Sequence, residues 1–223
     1  MSSEKKFLTI PYHPQLDNMN MEDVSNFLEQ IEEKHHIKCR NWIEKFHFHP
    51  LTAFTLAYSD KYIYVDYYVR GNYLRAVNYT NNSPVAEDSC VEFFLKVPGS
   101  SEYWNFEFNC IGTVNASHRE KRENPIRLND DEINQIKRYA SCGTRPFEEM
   151  EGIFSWNLII AIPFSLIGLE SSNLPDKITG NFHKCGSKTS APHLLSWSPI
   201  DYPKPDFHRP EFFGELIFGK KDK

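Results

Sequence analysis

The sequence predicts an all-β protein, a β-sandwich or jelly roll with two short peripheral helices. Three observations lead there. From Leu51 onward the chain passes through a series of short segments rich in β-branched and aromatic residues, punctuated by Gly, Pro, Asn and Asp clusters. Several of these segments alternate apolar and polar residues with the period of a strand that has two different faces. Helical periodicity is confined to two stretches, one before this region and one interrupting it.

Residues 1–20, rich in Pro, Asn and His, read as an extended lead-in. A helix follows from Asn20 or Glu22-Asp23, with Val24, Phe27, Leu28 and Ile31 as its apolar stripe and Glu29, Glu32, Glu33 and Lys34 as its polar back. This extension, residues 1–50, is expected to lay its amphipathic helix on a sandwich formed by residues 51–223, the whole being one domain. Leu51–Tyr58 and Lys61–Gly71 then predict a hairpin around Ser59-Asp60, with Ile63, Val65, Tyr67 and Val69 on one face and Tyr64, Asp66, Tyr68 and Arg70 on the other. The central hairpin is Ser89–Val97 and Glu102–Ile111, joined at Pro98-Gly99-Ser100-Ser101. Alternation puts Val91, Phe93 and Leu95 on one face of its first strand, opposite Cys90, Glu92 and Phe94. In the second strand Trp104, Phe106, Phe108 and Cys110 oppose Asn105, Glu107 and Asn109.

Past this hairpin, His118–Arg127 is charged and reads as solvated, and Asn129-Asp130 caps a short helix with Ile133, Ile136 and Tyr139 or Ala140 as its stripe. The apolar run Ile153–Pro163 has the length and β-branching of a central strand, so Trp156, Leu158, Ile160 and Ile162 join Val91, Phe93 and Leu95 as expected core. Lys177–Gly186, HLLSWSPI and EFFGELIF supply the last strands, the final two separated by the proline-rich loop 201–210.

Composition narrows function. The 25 basic and 30 acidic residues are spread along the chain for a net charge of -5, so neither a nucleic-acid nor a membrane footprint is expected. The N-terminus shows no signal-peptide core, and Cys39, Cys90, Cys110, Cys142 and Cys185 are an odd set without CxxC spacing. Reduced thiols and a cytoplasmic setting are favoured, a trimmed secreted protein being the alternative. The sequons at Asn81 and Asn115 are read as chance matches. His47 and His49 in KFHFHP would share a strand face as a metal pair, but without a third ligand nearby they read as structural, and no metal is assigned.

The chemistry concentrates on the polar row of the central hairpin. Glu92, Glu107 and Asn109, with aromatics nearby, are groups suited to hydrogen-bonding hydroxyls and covering the apolar face of a sugar ring. A wet sheet face would carry such residues too. Loop 77–85, rich in Asn, is the expected rim.

The ordered motifs AEDSCVEFFL, NFEFN, WNLIIAIPFSLIG, GNFHKCG, LLSWSPI and DFHRPEFFGELIF resemble the family 9 carbohydrate-binding modules, within the DOMON-type sandwich group, over about Leu51 to Phe218. The resemblance implies a β-sandwich that holds the end of a sugar chain, often beside structural calcium, in proteins associated with poly- or oligosaccharide catabolism. Carried over by motif, Glu92 matches the sugar-binding carboxylate, Asn109 the sugar-binding amide, and Lys184 lies near a polar position of the GNF motif. The family's two clamping tryptophans are not reproduced: Val85, Ala86 and Glu87 occupy the place of one, Phe207-His208 that of the other. Glu107 replaces an arginine, and the spacing of Asp88 to Glu92 is off by one. The expected carbohydrate site is therefore the sheet face around Glu92, Glu107 and Asn109, rimmed by Arg75, Lys184, Phe207 and His208, with Trp197 either in its shell or in the core. Two further readings stand beside it: a glycoside hydrolase using Glu92 and Glu107, and a haem or redox module drawing ligands from Met150, His183, His193 and His208.

Overall fold

The computed structural model describes residues 6–221. The first fifty residues contain β1 (Phe7–Ile10), α1 (Met21–Glu29) and β2 (His35–His36). The middle of the chain forms β3 (Leu51–Tyr58), β4 (Tyr62–Ala76), β5 (Cys90–Lys96), β6 (Tyr103–Asn109), β7 (Val114–Arg119) and β8 (Ile126–Arg127). After these come α2 (Asp130–Asn134), β9 (Lys137–Ala140), β10 (Phe147–Pro163), β11 (Lys177–Gly186), β12 (His193–Ser196) and β13 (Gly214–Phe218). They make a β-sandwich. One sheet runs β1-β13-β11-β5-β6-β7-β8, with β12 also paired to β11; the other runs β2-β3-β4-β10-β9.

Alternation decides which side chains meet between the sheets. Val91, Phe93 and Leu95 of β5 and Phe106 and Phe108 of β6 point inward, where Trp156, Leu158, Ile160 and Ile162 of β10 complete the core. Near its middle, Phe182 of β11 is stacked between Phe93, 4.6 Å away and almost parallel, and Phe54 of β3, 4.0 Å away. Trp197 stands edge-on to Phe182 at 5.8 Å. Its indole requires Gly214, because a Cβ at that position would approach within 2.3 Å of the ring.

Both sheets also bury much of their outer faces. α1 starts where Asn20 caps the Asp23 amide, and it seats Val24 and Leu28 against Tyr64, Ala57, Ile159 and Ala161 of the five-stranded sheet. Asp66 lies fully buried beneath it, accepting from Ser25 Oγ (2.6 Å) and Tyr68 Oη (3.1 Å). Over the other sheet, residues 198–213 fold back with Trp42 and Val85 and pack Ile200, Phe207 and Phe213 onto Cys90, Phe94, Tyr103 and Cys185.

Several sequence expectations need correction. The lead-in contributes β1, which pairs in parallel with β13. Lys137–Ala140 is strand β9, paired with β10, so the second helix ends before Tyr139. His118 and Arg119 belong to β7, His118 half-buried 4.6 Å from the Trp104 ring and Arg119 buried, so the solvated stretch is residues 120–127. Most consequential, the face bearing Glu92, Glu107 and Asn109 is not wet: residues 198–213 cover Glu92 and Glu107, and loop 77–85 covers Asn109.

Truncating Phe93 to Ala removes one leaf of the aromatic stack and should cost about 3–5 kcal/mol in denaturant unfolding; an unchanged midpoint would contradict its central place. Asp66 yields a pH signature. Burial raises its pKa from 3.8 to about 7, so the native state keeps a proton that the unfolded chain releases in that interval. Stability should therefore fall as pH rises from about 4 to 7 and level off above. Asp66→Asn, which mimics the protonated acid, should flatten this decline and gain up to about 4 kcal/mol over wild type at pH 8. Parallel stability curves for the two proteins would contradict this account.

Candidate functional site

The register of four adjacent strands assembles the site. His183 of β11 pairs with Glu92 of β5, Glu92 with Glu107 of β6, and Glu107 with Asn115 of β7. Because cross-strand partners project to the same side, these four side chains form one row on the outer face. Cys185 and Cys90 form a second row beside it, and Asn181, Phe94, Asn105 and Ser117 a third.

The two carboxyls are held differently. Glu107 accepts from Asn105 Nδ2 at 3.0 Å and from Asn115 Nδ2 at 2.9 Å, and Ser117 Oγ donates to the Asn105 oxygen at 2.7 Å. Glu92 Oε1 accepts from the Cys185 thiol at 3.0 Å. Its Oε2 has no hydrogen-bond partner and lies 3.4 Å from His183 Nδ1. Glu92 is 3% and Glu107 8% exposed. Burial raises both carboxyl pKa values, and the charge of Glu92 raises that of Glu107 further. Burial also lowers His183 to about 3, so its imidazole is neutral. No cation is paired with either carboxylate among the described residues, which leaves two acids next to each other in a dry site.

A cavity of about 160 Å³ lies over this floor, walled by Phe94, Ala86, Leu194, Phe207 and His208. Its roof is fastened by charge: Asp206 meets Arg122 at 3.1 Å and Arg209 at 3.0 Å. Phe207 stacks on the His183 ring at 4.1 Å, 11° from parallel, and meets Trp42 at 5.9 Å. His208 Nδ1 lies 3.0 Å from Tyr103 Oη, with its ring against Phe94. A larger cavity of about 380 Å³ occurs on the outer face of the five-stranded sheet, beside Tyr68, Arg70 and Asn157. We place the site in the smaller one, where a carboxylate oxygen is buried without a partner.

Of the residues singled out from sequence, Glu92, Glu107, Phe207 and His208 come together at this cavity. The other four do not. Asn109 is fully buried, with Nδ2 donating to the Asn78 carbonyl (2.6 Å) and Asp88 (3.0 Å) and Oδ1 accepting from the Thr113 amide (3.0 Å). Arg75 joins the same cluster through Asp88 at 3.3 Å. Lys184 points to the opposite face, where Nζ donates to the Cys185 carbonyl at 2.7 Å and lies 2.9 Å from His193 Nε2. Trp197 packs in the inter-sheet core. Loop 77–85 wraps Asp88 and Asn109 instead of forming the rim, and only Ala86 just beyond it reaches the cavity.

Sequence reasoning offered His183 only as a haem ligand and missed Cys185, Asp206 and Trp42. For His183 and Cys185 a signal was present: alternation in GNFHKCG places Asn181, His183 and Cys185 together and turns Lys184 away. Asp206 and Trp42 carry no such signal, since an irregular loop and a segment far away in sequence bring them there.

His47 and His49 are exposed in a loop and share no strand face. The haem ligand set is not gathered: Met150 is exposed, and His193 lies on the far face from His183. Calcium takes six to eight oxygens, including backbone and amide carbonyls; among the described residues, the grouping of three or more His, Cys, Asp or Glu ligand atoms is Cys90, Glu92 and Cys185.

The sequence model of carbohydrate-binding family 9 matches residues 22–218. The chain belongs to carbohydrate-binding family 9. A crystal structure of a "putative carbohydrate-binding protein" from Bacteroides uniformis is 34% identical, covering 97% of this chain and 100% of that one, with a TM-score of 0.90. Two family 9 modules from Caldicellulosiruptor kristjanssonii, one in complex with cellotriose and one with glucose, share the fold at a TM-score of 0.57 with 14% and 15% identity. They cover 97% of this chain and 95% and 97% of their own. No functionally curated protein matches. Within this family 9 fold, the segment Val85–Glu87, where the resemblance expects a clamping tryptophan, forms a turn with Val85 buried.

Because Asn109 satisfies three protein groups, Asn109→Ala should act on stability. A loss of about 2–3 kcal/mol in chemical denaturation is expected from the stranded partners, and an undiminished stability would return Asn109 to the pool of ligand contacts.

Proposed function

We propose that this family 9 protein binds the end of a glucose-type saccharide in the cavity over Glu92 and Glu107. The observation that carries this reading is Glu92, which lines the cavity and whose buried carboxylate oxygen Oε2 has no protein donor. A sugar hydroxyl would supply the missing donor. Glu107, fixed by two amides, would take a second hydroxyl, with Phe94, Phe207 and His208 as aromatic walls. The Caldicellulosiruptor kristjanssonii modules in complex with glucose and cellotriose support the choice of sugar.

The geometry sets limits on affinity and size. A volume of about 160 Å³ is below the roughly 300 Å³ of ordinary ligand clefts, which suits a single terminal ring. Each neutral hydroxyl contact nets only about 0.5–1.5 kcal/mol and each contact to an ionised carboxylate about 1.5–3. Phe207 already gives one face to His183, so it stacks on a sugar only at the cost of that contact. Affinity should be micromolar or weaker, about -8 kcal/mol at best. Both carboxyls lie side by side on one floor, where each can accept from a sugar hydroxyl.

Calorimetry with glucose, cellobiose and cellotriose is the test. Glu92→Gln and Glu107→Gln should each weaken binding at least about tenfold, or 1.4 kcal/mol, with circular dichroism unchanged, while Tyr68→Ala at the larger cavity should not. Full affinity in both carboxamide variants, or loss only in Tyr68→Ala, would move the site elsewhere.

A further inference from the structure

The structure assigns a soft-metal site to Cys90, Cys185 and Glu92, of the class that takes one Zn²⁺ ion. This inference does not rest on sugar binding, although it draws on Glu92 of the same sheet face. Cys90 and Glu92 alternate on β5, and Cys185 is the cross-strand partner of Cys90 on β11, next to His183. The two sulfurs and a Glu92 carboxylate oxygen all lie within 4.8 Å of one another, and all three residues are buried. Ligand atoms around tetrahedral zinc stand roughly 3.5–3.8 Å apart, given bonds of about 2.0–2.3 Å. Small side-chain rotations therefore suffice to close the site.

A second, independent observation points to a ligand. His183 is completely buried, and neither of its ring nitrogens has a hydrogen-bond partner; Glu92 Oε2 is likewise unpartnered, 3.4 Å from Nδ1. Buried polar atoms without partners are costly. If the metal takes Oε1, which already faces the Cys185 sulfur at 3.0 Å, His183 Nδ1–H becomes the donor that fixes Oε2, a common role for the outer shell of a metal centre. The fourth coordination position then opens toward the cavity, which Glu92 and Cys185 both line.

Charge supports the same assignment. Lys184 is buried, and its two hydrogen-bond partners, the Cys185 carbonyl and His193, are not anions. Binding exchanges two thiol protons, released to solvent, for one divalent ion. Two thiolates, one carboxylate and the ion sum to a single negative charge, and the Lys184 ammonium across the sheet balances it. Thiolate donors select a borderline or soft ion such as zinc over calcium or magnesium.

The test uses the full chain, purified with reductant, freed of metal by a chelator and titrated with Zn²⁺ and Co²⁺. Expected are one ion per chain, a near-ultraviolet thiolate-to-cobalt charge-transfer band and a higher Tm with zinc. Cys90→Ser and Cys185→Ser should each lower affinity at least tenfold and weaken that band, and Cys39→Ser should change neither. Should the serine variants fail to fold, alkylation of the wild type decides: zinc should slow labelling of Cys90 and Cys185 without slowing that of Cys39. The assignment is overturned if the reduced wild type binds no ion, if the serine variants keep the band, or if zinc gives no protection to these two cysteines.

Discussion

Strands β11, β5 and β6 are buried on both faces, and the rest of the molecule follows from that constraint. Their inner side chains fill the space between the sheets, with Phe182 stacked between Phe54 and Phe93. Their outer side chains lie beneath residues 198–213, which bring Phe207 and Phe213 down onto Phe94, Tyr103 and Cys185. An antiparallel sheet ordinarily leaves one face to water. Here a long return loop takes the place of water, and every polar group on that face must find a partner within the protein or in a ligand.

That requirement sorts the outer face into structure and site. Asn109, Asp88 and Arg75 satisfy one another and tie the end of β4 to β5 and β6. Asn105, Ser117 and Asn115 satisfy Glu107. Among the groups left incomplete, Glu92 and His183 lie together, next to the cavity and to two thiols. Incomplete solvation of buried polar atoms is the feature shared by the sugar reading and the metal reading, which use different atoms of the same carboxylate. One asks Oε2 to accept a hydroxyl; the other asks Oε1 to join two sulfurs.

Family resemblance and strand parity, taken separately, would have chosen different residues. Resemblance of motif brought in Lys184 because it lies near a polar position of the GNF segment. Parity places Lys184 with Phe182, on the core side, and puts His183 and Cys185 with Glu92. Structure agrees with parity, because a one-residue shift along a strand changes the face altogether. For Asn109 parity was right about the face, yet a position at the end of β6 brought it under loop 77–85 instead of under the cavity.

From sequence alone came the all-β class, the two-sheet sandwich, the helix on its outside, the inward set Val91, Phe93, Leu95, Trp156, Leu158, Ile160 and Ile162, and the pairing of Glu92 with Glu107. All of these rest on local periodicity and hairpin chemistry, which neighbouring residues carry. Tertiary structure alone decided that the carboxylate face is dry, that Trp42 and Asp206 close the roof, that Trp197 belongs to the core, and that Cys90 meets Cys185. Each depends on segments distant along the chain, such as Trp42 and Phe207, or on a loop with no repeating pattern. Periodicity tells which side of a strand a residue faces; what covers that side is settled only when the chain has folded back on itself.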